Sequence, residues 1–355
     1  MAAEKRMSEL DFERLQDRCW RFGIDNGFVH APFLRLTSGG RVMGYRNPNE
    51  ASWRLQDGRL ALVDMIGQTS TLFDQCFVGD DGLLVLKGYF RDGSILHVLQ
   101  EIAVGGELVS PDPEMQLIQR RAVGSRQNLV LLRANERSLH SQWKQNILDE
   151  TRSWDLCTSF YGNPENFPAE DYAEYSVLQR NERKFSAIKK LMHKASVLWQ
   201  YDYIMLPDDD LDMSWRDINL LFAVCREYEL QLAQPSLDPK GVVNYNTTRQ
   251  NSAYSLRFVS MVEIMTPVFS RQALLDCIHT FDFNLSGFGI DYAWSKLVQG
   301  PATKIAIIDC VAALHTRPTG AGYNYSAAVE EGFAVSRKFG NHDHYVIREF
   351  GGILA

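Results

Sequence analysis

From residue 126 onward, short apolar runs alternate with amphipathic stretches of helical period, and few folds satisfy that alternation. The apolar runs cover 128–132, 154–160, 201–206, 230–234, 258–265 and 304–309. The amphipathic stretches cover 136–150, 181–195, 215–228, 271–280 and 289–298. Strands and helices in this order predict a largely parallel sheet with helices on its faces. In such sheets ligands sit beyond the carboxyl ends of the strands. The front of the chain reads differently. After an amphipathic helix expected at about 9–21, short alternating segments fill 28–102. Gln56-Asp57-Gly58, Gly79-Asp80-Asp81-Gly82 and Arg91-Asp92-Gly93 punctuate them, which predicts a small antiparallel sandwich or barrel. The expected organisation is therefore a β-rich module over 1–112 and a linker over 113–125. An α/β domain over 126–325 and a C-terminal tail over 326–355 complete it.

One strand end stands apart. Tyr201-Asp-Tyr-Ile-Met-Leu runs through Pro207 into Asp208, Asp209 and Asp210. Neighbouring carboxylates repel, by about 3 kcal/mol for a pair at ~5 Å in an effective dielectric of ~20. A divalent cation turns that cost into attraction. In an extended segment residues i and i+2 share a face, so Asp208 and Asp210 can converge while Asp209 points elsewhere. Carboxylate oxygens suit Mg²⁺ or Mn²⁺, ions that usually also hold substrate phosphates. The plainer alternative is a solvated acidic turn.

The totals narrow the class. The chain has 355 residues, 45% hydrophobic and 23% charged, as in soluble globular proteins. A net charge of −7 argues against a nucleic-acid partner, which usually needs a basic surface. The six cysteines are scattered without a Cys-x-x-Cys pair, which suits reduced thiols and a cytoplasmic setting. No apolar run is long enough to span a bilayer, which leaves peripheral membrane contact open. Phosphate loops of the Gly-x-x-x-x-Gly-Lys type, Gly-x-Gly-x-x-Gly, Gly-x-Ser-x-Gly and His-Glu-x-x-His are absent from the sequence.

Three further places carry candidate chemistry. Glu263 interrupts an apolar strand, where an acid is expensive to bury alone; an alternating strand with one wet face would explain it as well. Asp291 follows two glycines in the first turn of a helix. Capping and the helix dipole account for most acids there, yet the position also suits a general base. His315 follows the last strand, where a lone histidine is usually structural unless a metal needs more ligands. Lys184 and Arg317, with Arg257 as a weaker third, are candidate cations for a diphosphate.

Strand, Asp-x-Asp, two more acids and a late histidine, in that order, resemble the GT-A glycosyltransferase plan. More narrowly, residues 126–320 resemble the family catalogued as domain of unknown function 707. The residues that carry this are Tyr201 to Leu211, Gln234-Pro-Ser-Leu-Asp-Pro, Val262-Glu-Ile-Met-Thr-Pro-Val-Phe-Ser, Phe288-Gly-Ile-Asp-Tyr and Ile308-Asp-Cys-Val-Ala-Ala-Leu-His. Family members carry Asp-Glu-Asp where this chain has three aspartates, and plant members carry Trp where it has Met261. The segment from Tyr45 to Trp53 loosely resembles a β module found beside bacterial glycosyltransferases.

The resemblance implies a GT-A-like fold and a metal-dependent glycosyltransferase of surface-glycan assembly. Mn²⁺ or Mg²⁺ would sit on Asp208, Asp210 and His315. The donor, a nucleotide sugar and first of all a UDP-sugar, would meet Arg133, Asn135, Lys184, Asp209 and Arg317. Asp291 would act as general base if the anomeric centre inverts; if it is retained, Asp291 or Glu263 would instead orient the glycan acceptor. Two other readings share these residues. One is a glycan- or nucleotide-binding protein without turnover, the other a metal-dependent nucleotidyltransferase or phosphohydrolase.

Overall fold

The computed structural model describes residues 15, 18–36, 40–43, 45, 47–79, 82–102, 108–121, 126–144, 151–167, 173–298, 302–318, 324–339 and 346–355. The chain divides into two compact units. The first is Met1–Gly106 with Arg337–His342; the second is Glu107–Ser336 with Asp343–Ala355.

The first unit is antiparallel throughout its described strands. These are β1 (Cys19–Ile24), β2 (Val29–Leu36), β3 (Val42–Met43), β4 (Ser52–Gln56), β5 (Arg59–Val63), β6 (Thr69–Leu72), β7 (Gln75–Val78), β8 (Leu84–Tyr89) and β9 (Leu96–Ile102). One sheet runs β3-β2-β1-β9-β8-β7 and a second runs β4-β5-β6. Their inward residues, among them Trp20, Phe22, Leu34, Trp53, Leu62, Phe73 and Leu99, form one apolar core. The β4–β5 turn has Asp57 and Gly58 at φ of 50° and 72°, the mirror-type turn that an Asp-Gly pair favours. The helix expected at 9–21 ends early. Leu15 is helical, but Cys19, Trp20 and Arg21 lie in β1, where alternation buries Trp20 and Phe22 and leaves Arg21 in water. Residues 9–14 and 16–17 lie outside the described set.

The second unit holds β10 (Ile118–Gln119), β11 (Asn128–Ala134), β12 (Trp154–Phe160), β13 (Tyr175–Leu178), β14 (Tyr203–Met205) and β15 (Leu211–Asp212). It continues with β16 (Leu232–Leu237), β17 (Tyr254–Val259), β18 (Val268–Ser270), β19 (Ile305–His315) and β20 (Glu349–Leu354). Its helices are α1 (Lys184–Leu191), α2 (Trp215–Glu227), α3 (Arg271–Cys277), α4 (Ile290–Leu297) and α5 (Tyr325–Lys338). The sheet order is β10-β13-β12-β11-β14-β18-β16-β19-β17-β20, with β15 paired to β19.

This sheet is mixed rather than largely parallel. The β11–β12, β11–β14, β12–β13 and β16–β19 ladders are parallel. Short β18 enters between β14 and β16 in the opposite direction, pairing Tyr203 with Ser270 and Leu232 with Phe269. β17 and β20 then add an antiparallel edge. Alternating sequence periods reveal strands and helices but not the direction of a three-residue strand, and that is where the expectation of a largely parallel sheet fails.

Three local expectations also change. The run 258–265 is not one strand: β17 ends at Val259, where the Ser260 N–H turns to the carbonyl of Arg348 at 2.8 Å. The helix expected over 136–150 is a 3-10 turn, Leu139–Lys144, as far as it is described, and 145–150 lie outside the described residues. The stretch read as a tail carries most of α5 and all of β20. Its Gly351-Gly352 pair hid the strand: Gly351 has φ of 111°, and a Cβ on Gly352 would lie 2.4 Å from the Leu256 carbonyl oxygen. Among the described residues, no helix is long and apolar enough to cross a membrane.

Candidate functional site

The triple aspartate lies between the ends of β14 and β15. Two backbone bonds, Leu206 N to Pro267 O at 2.8 Å and Asp208 N to Met265 O at 2.7 Å, tie its start to the loop before β18. β15 then pairs with β19 in a register that sets Leu211 opposite His315. Asp210 is thereby brought beside His315, with its carbonyl accepting from Thr316 N at 3.1 Å and Thr316 Oγ1 at 2.8 Å.

The three carboxylates take three different partners. Lys184 donates to Asp208 Oδ1 at 2.7 Å, and also to the carbonyls of Ile264 at 2.8 Å and Met265 at 3.1 Å. Three acceptors use all three ammonium hydrogens. Asp209 accepts from Ser138 Oγ at 2.6 Å and Tyr161 OH at 3.3 Å, with Arg317 at 3.4 Å. Asp210 Oδ2 faces His315 Nε2 at 3.5 Å, while its buried Oδ1 has no hydrogen-bond partner. Burial disfavours charge on both Lys184 and Asp208, lowering the one pKa and raising the other against their mutual attraction. On His315 burial opposes the charged ring, but Asp210 and the Val242 carbonyl outweigh it and raise its pKa. Its Nδ1 lies 3.2 Å from that carbonyl.

Glu263 sits in the loop after β17 and is 3% exposed. Its N–H donates to Gln234 Oε1 at 2.6 Å, within β16. Thr248 and Asn244 hydrogen-bond its carboxyl, yet Oε1 has no partner. Burial pushes this carboxyl up to about 7, against Thr248, Asn244 and His315, with Asp208 adding to the rise.

Asp291 opens helix α4 behind Gly289, whose φ of 82° and close approach to the Gly332 backbone admit no side chain. The carboxyl accepts from its own helix end, with Tyr292 N at 3.1 Å, and from the Ile264 N–H. It therefore pins the loop that carries Glu263. Burial first and Glu263 second push it up to about 7.

Asp208, Asp210, His315, Glu263 and Asp291 are thus one electrostatic neighbourhood, with Lys184 inside it. Arg317, Asp209 and Asn135 form a second group around Tyr161, to which Asn135 Nδ2 donates at 2.5 Å. Arg133 does not join it as a free cation. It donates to Ser159 Oγ at 2.8 Å and to the carbonyls of Gln179 at 2.9 Å and Glu182 at 2.8 Å, beneath the Tyr161 ring. Burial lowers its pKa to about 10. Arg257 is likewise committed, to Asp309 and Glu349. Among the described residues, no three His, Cys, Asp or Glu side chains gather as they would around a metal. Asp210 and His315 do offer a carboxylate oxygen and an imidazole nitrogen 3.5 Å apart, with one carboxylate oxygen spare. That pair fits Mn²⁺ better than Mg²⁺, which prefers oxygen ligands; Asp208 fits only after parting from Lys184.

Sequence reasoning gave no role to Gln234, Asn244, Thr248, Ser138 and Tyr161. Gln234 had a visible signal, an amide inside a buried strand. The others reach the site from turns whose course no local pattern fixes.

Residues 169–340 match the family model described as "Protein of unknown function (DUF707)". No curated protein matches the chain. Among solved structures, S. aureus TarS 1–349 in complex with UDP-GlcNAc aligns over 61% of this chain and 67% of that one, at 13% identity and a TM-score of 0.39. S. aureus TarS 1–349 aligns over 61% and 72%, at 9% identity and 0.35. A further structure of S. aureus TarS aligns over 62% and 44%, at 11% identity and 0.36. Likeness of that degree carries no argument about what this chain does.

Proposed function

We propose that this chain is a metal-dependent glycosyltransferase that takes a sugar from a nucleotide-sugar donor, with a UDP-sugar as the first candidate, and passes it to a glycan acceptor. One observation carries the reading. Asp210, with an unpartnered buried oxygen, faces His315 beside two buried carboxyls whose pKa values stand at about 7.

Asp210 and His315 would hold Mn²⁺ or Mg²⁺. When bound, such an ion neutralises the charge that gathers on a departing nucleoside diphosphate. The protein's own groups supply the rest. Lys184, saturated by three oxygens, keeps the Asp208 loop and the Glu263 loop in register. Asn135, Asp209 and Arg317, around the half-exposed Tyr161, offer donors and acceptors to the nucleotide. Asp291 is poised as general base, since a carboxyl near 7 can take a proton from an acceptor hydroxyl at neutral pH. Glu263 orients a hydroxyl.

The test is release of nucleoside diphosphate from UDP-sugars and GDP-mannose by the full chain with Mn²⁺ or Mg²⁺. Wild type should release it, and Asp210→Asn should lower the rate at least 100-fold with an unchanged circular-dichroism spectrum. Full turnover of Asp210→Asn in chelator defeats the metal site. Monophosphate plus pyrophosphate as the products assigns the residues to nucleotidyl transfer instead.

A further inference from the structure

The segment 241–248 holds no residue that the proposed reaction uses, yet it is fixed against the site at both ends. Val242 N donates to His315 O at 3.0 Å, and His315 Nδ1 meets Val242 O at 3.2 Å. Gly241 lies so close that a Cβ there would stand 2.7 Å from His315 O. At the other end Thr248 is fully buried with its side chain against the Glu263 carboxyl, while its N and Oγ1 close the turn within the segment by donating to Tyr245 O at 3.0 Å and 2.8 Å. Between these anchors Asn244 is exposed, and its side chain bonds the carboxyl of Glu263 beneath it.

A buried carboxyl oxygen without a donor is rare and asks for a ligand or a water. Glu263 Oε1 is such an atom, on a side chain 3% exposed. Gln234 holds the Glu263 backbone at 2.6 Å, and the Thr248 and Asn244 side chains hold the carboxyl itself. The surroundings select the ligand. Asp291 and Asp208 act on the same carboxyl electrostatically with His315 opposing them, and two acids besides Glu263 itself against one histidine disfavour a phosphate or carboxylate at this spot. A neutral polyol suits it. A carboxyl oxygen can accept from one ring hydroxyl while the neighbouring carboxamide N–H donates to the next.

We infer that Glu263, Asn244 and Thr248 form a hydroxyl-recognition subsite that selects the sugar of the donor. The assignment rests on the glycosyltransferase reading and extends it from transfer to choice of sugar. Asn244 is the selecting contact, because it meets solvent and the carboxyl together; Thr248 and Gln234 position Glu263.

The experiment compares kcat/KM of the full chain for UDP-glucose, UDP-galactose and UDP-GlcNAc, the last two each differing from the first at a single ring position. Asn244→Ala, at an exposed position, should change the ratio between the best and the next donor by about tenfold, mainly through KM. Thr248→Val should move the same ratio in the same direction. An equal loss on every donor, or no change, overturns the subsite while leaving the glycosyltransferase reading intact. Wild type inactive on all nucleotide sugars removes the parent reading, and this subsite with it.

Discussion

Two buried clusters of charge in the second unit obey opposite rules. Around β12 and β13, Glu174 accepts from Arg152 at 3.0 Å and 2.5 Å and from Leu156 N at 2.7 Å. Asp155 accepts from Arg126 at 2.6 Å and Tyr201 at 2.7 Å. Every one of these carboxylate oxygens has a donor. Burial raises the Glu174 pKa, but Arg152, Lys144 and the Leu156 N–H more than reverse it. Beyond β14 and β16, Asp210 Oδ1 and Glu263 Oε1 have no donor, and burial prevails at Glu263 and Asp291. A cluster that only has to hold strands together can be closed within the chain. One that must receive a ligand has to stay open before the ligand arrives, and raised pKa values mark the cost of that opening.

Breaking the closed cluster should give the largest loss of stability. Arg152→Met leaves Glu174 buried with its main partner gone, and the expected loss is about 3–5 kcal/mol in urea denaturation. Lys144 at 3.9 Å and Arg126 at 3.6 Å remain as longer ion pairs that offset part of the loss and hold it toward the lower end of that range. A loss under ~1 kcal/mol would show that the closed cluster is no more essential to folding than the open one.

The open cluster predicts a pH slope of the opposite sign. Glu263 stands at about 7 in the folded chain, against 4.5 for a glutamate side chain in water. The folded form therefore keeps a proton that the unfolded chain has released above pH ~4.5. Unfolding free energy falls as pH rises through that window, by on the order of 3 kcal/mol for one such group. Glu174, with a lowered pKa, instead adds stability above its unfolded value and loses it in acid. Denaturation at pH 5 and pH 8 should show a flatter slope for Glu263→Gln than for wild type. Equal slopes would mean that Glu263 ionises freely in the folded protein.

How far the sequence announced this site depends on the distance of each partner. Asp208, Asp209 and Asp210 are legible because an apolar strand runs straight into them, and His315 because it closes the last strand. Glu263 is different. Its Met-Val-Glu-Ile-Met context has the alternation of a strand, yet it lies in a loop held by Gln234, 29 residues earlier. Lys184 reads as a free cation because its three acceptors lie 24, 80 and 81 residues away. Arg133 reads so too, although carbonyls 46 and 49 residues on consume its guanidinium. Residue type shows which chemistry is available. Whether a group is spent on the fold or kept for a ligand is decided by contacts that no local period encodes.

Asp209 lies between the two regimes and sets the smallest expected effect. Ser138 Oγ donates to its Oδ2 at 2.6 Å and accepts from Asn135 N at 2.7 Å, so one hydroxyl joins the β11 end to the triple aspartate. Tyr161 and Arg317 reach the same carboxylate only at 3.3 Å and 3.4 Å, and the Ser138–Asp209 contact is only part-buried. Ser138→Ala removes a single bond to a charged acceptor that water can partly replace, so urea denaturation should show a loss of about 1 kcal/mol. If the loss equals that of Arg152→Met, Asp209 belongs with the closed cluster and is ordered by the fold alone. If it stays near 1 kcal/mol while nucleoside diphosphate binds several-fold more weakly, Ser138 serves to present Asp209 to a ligand.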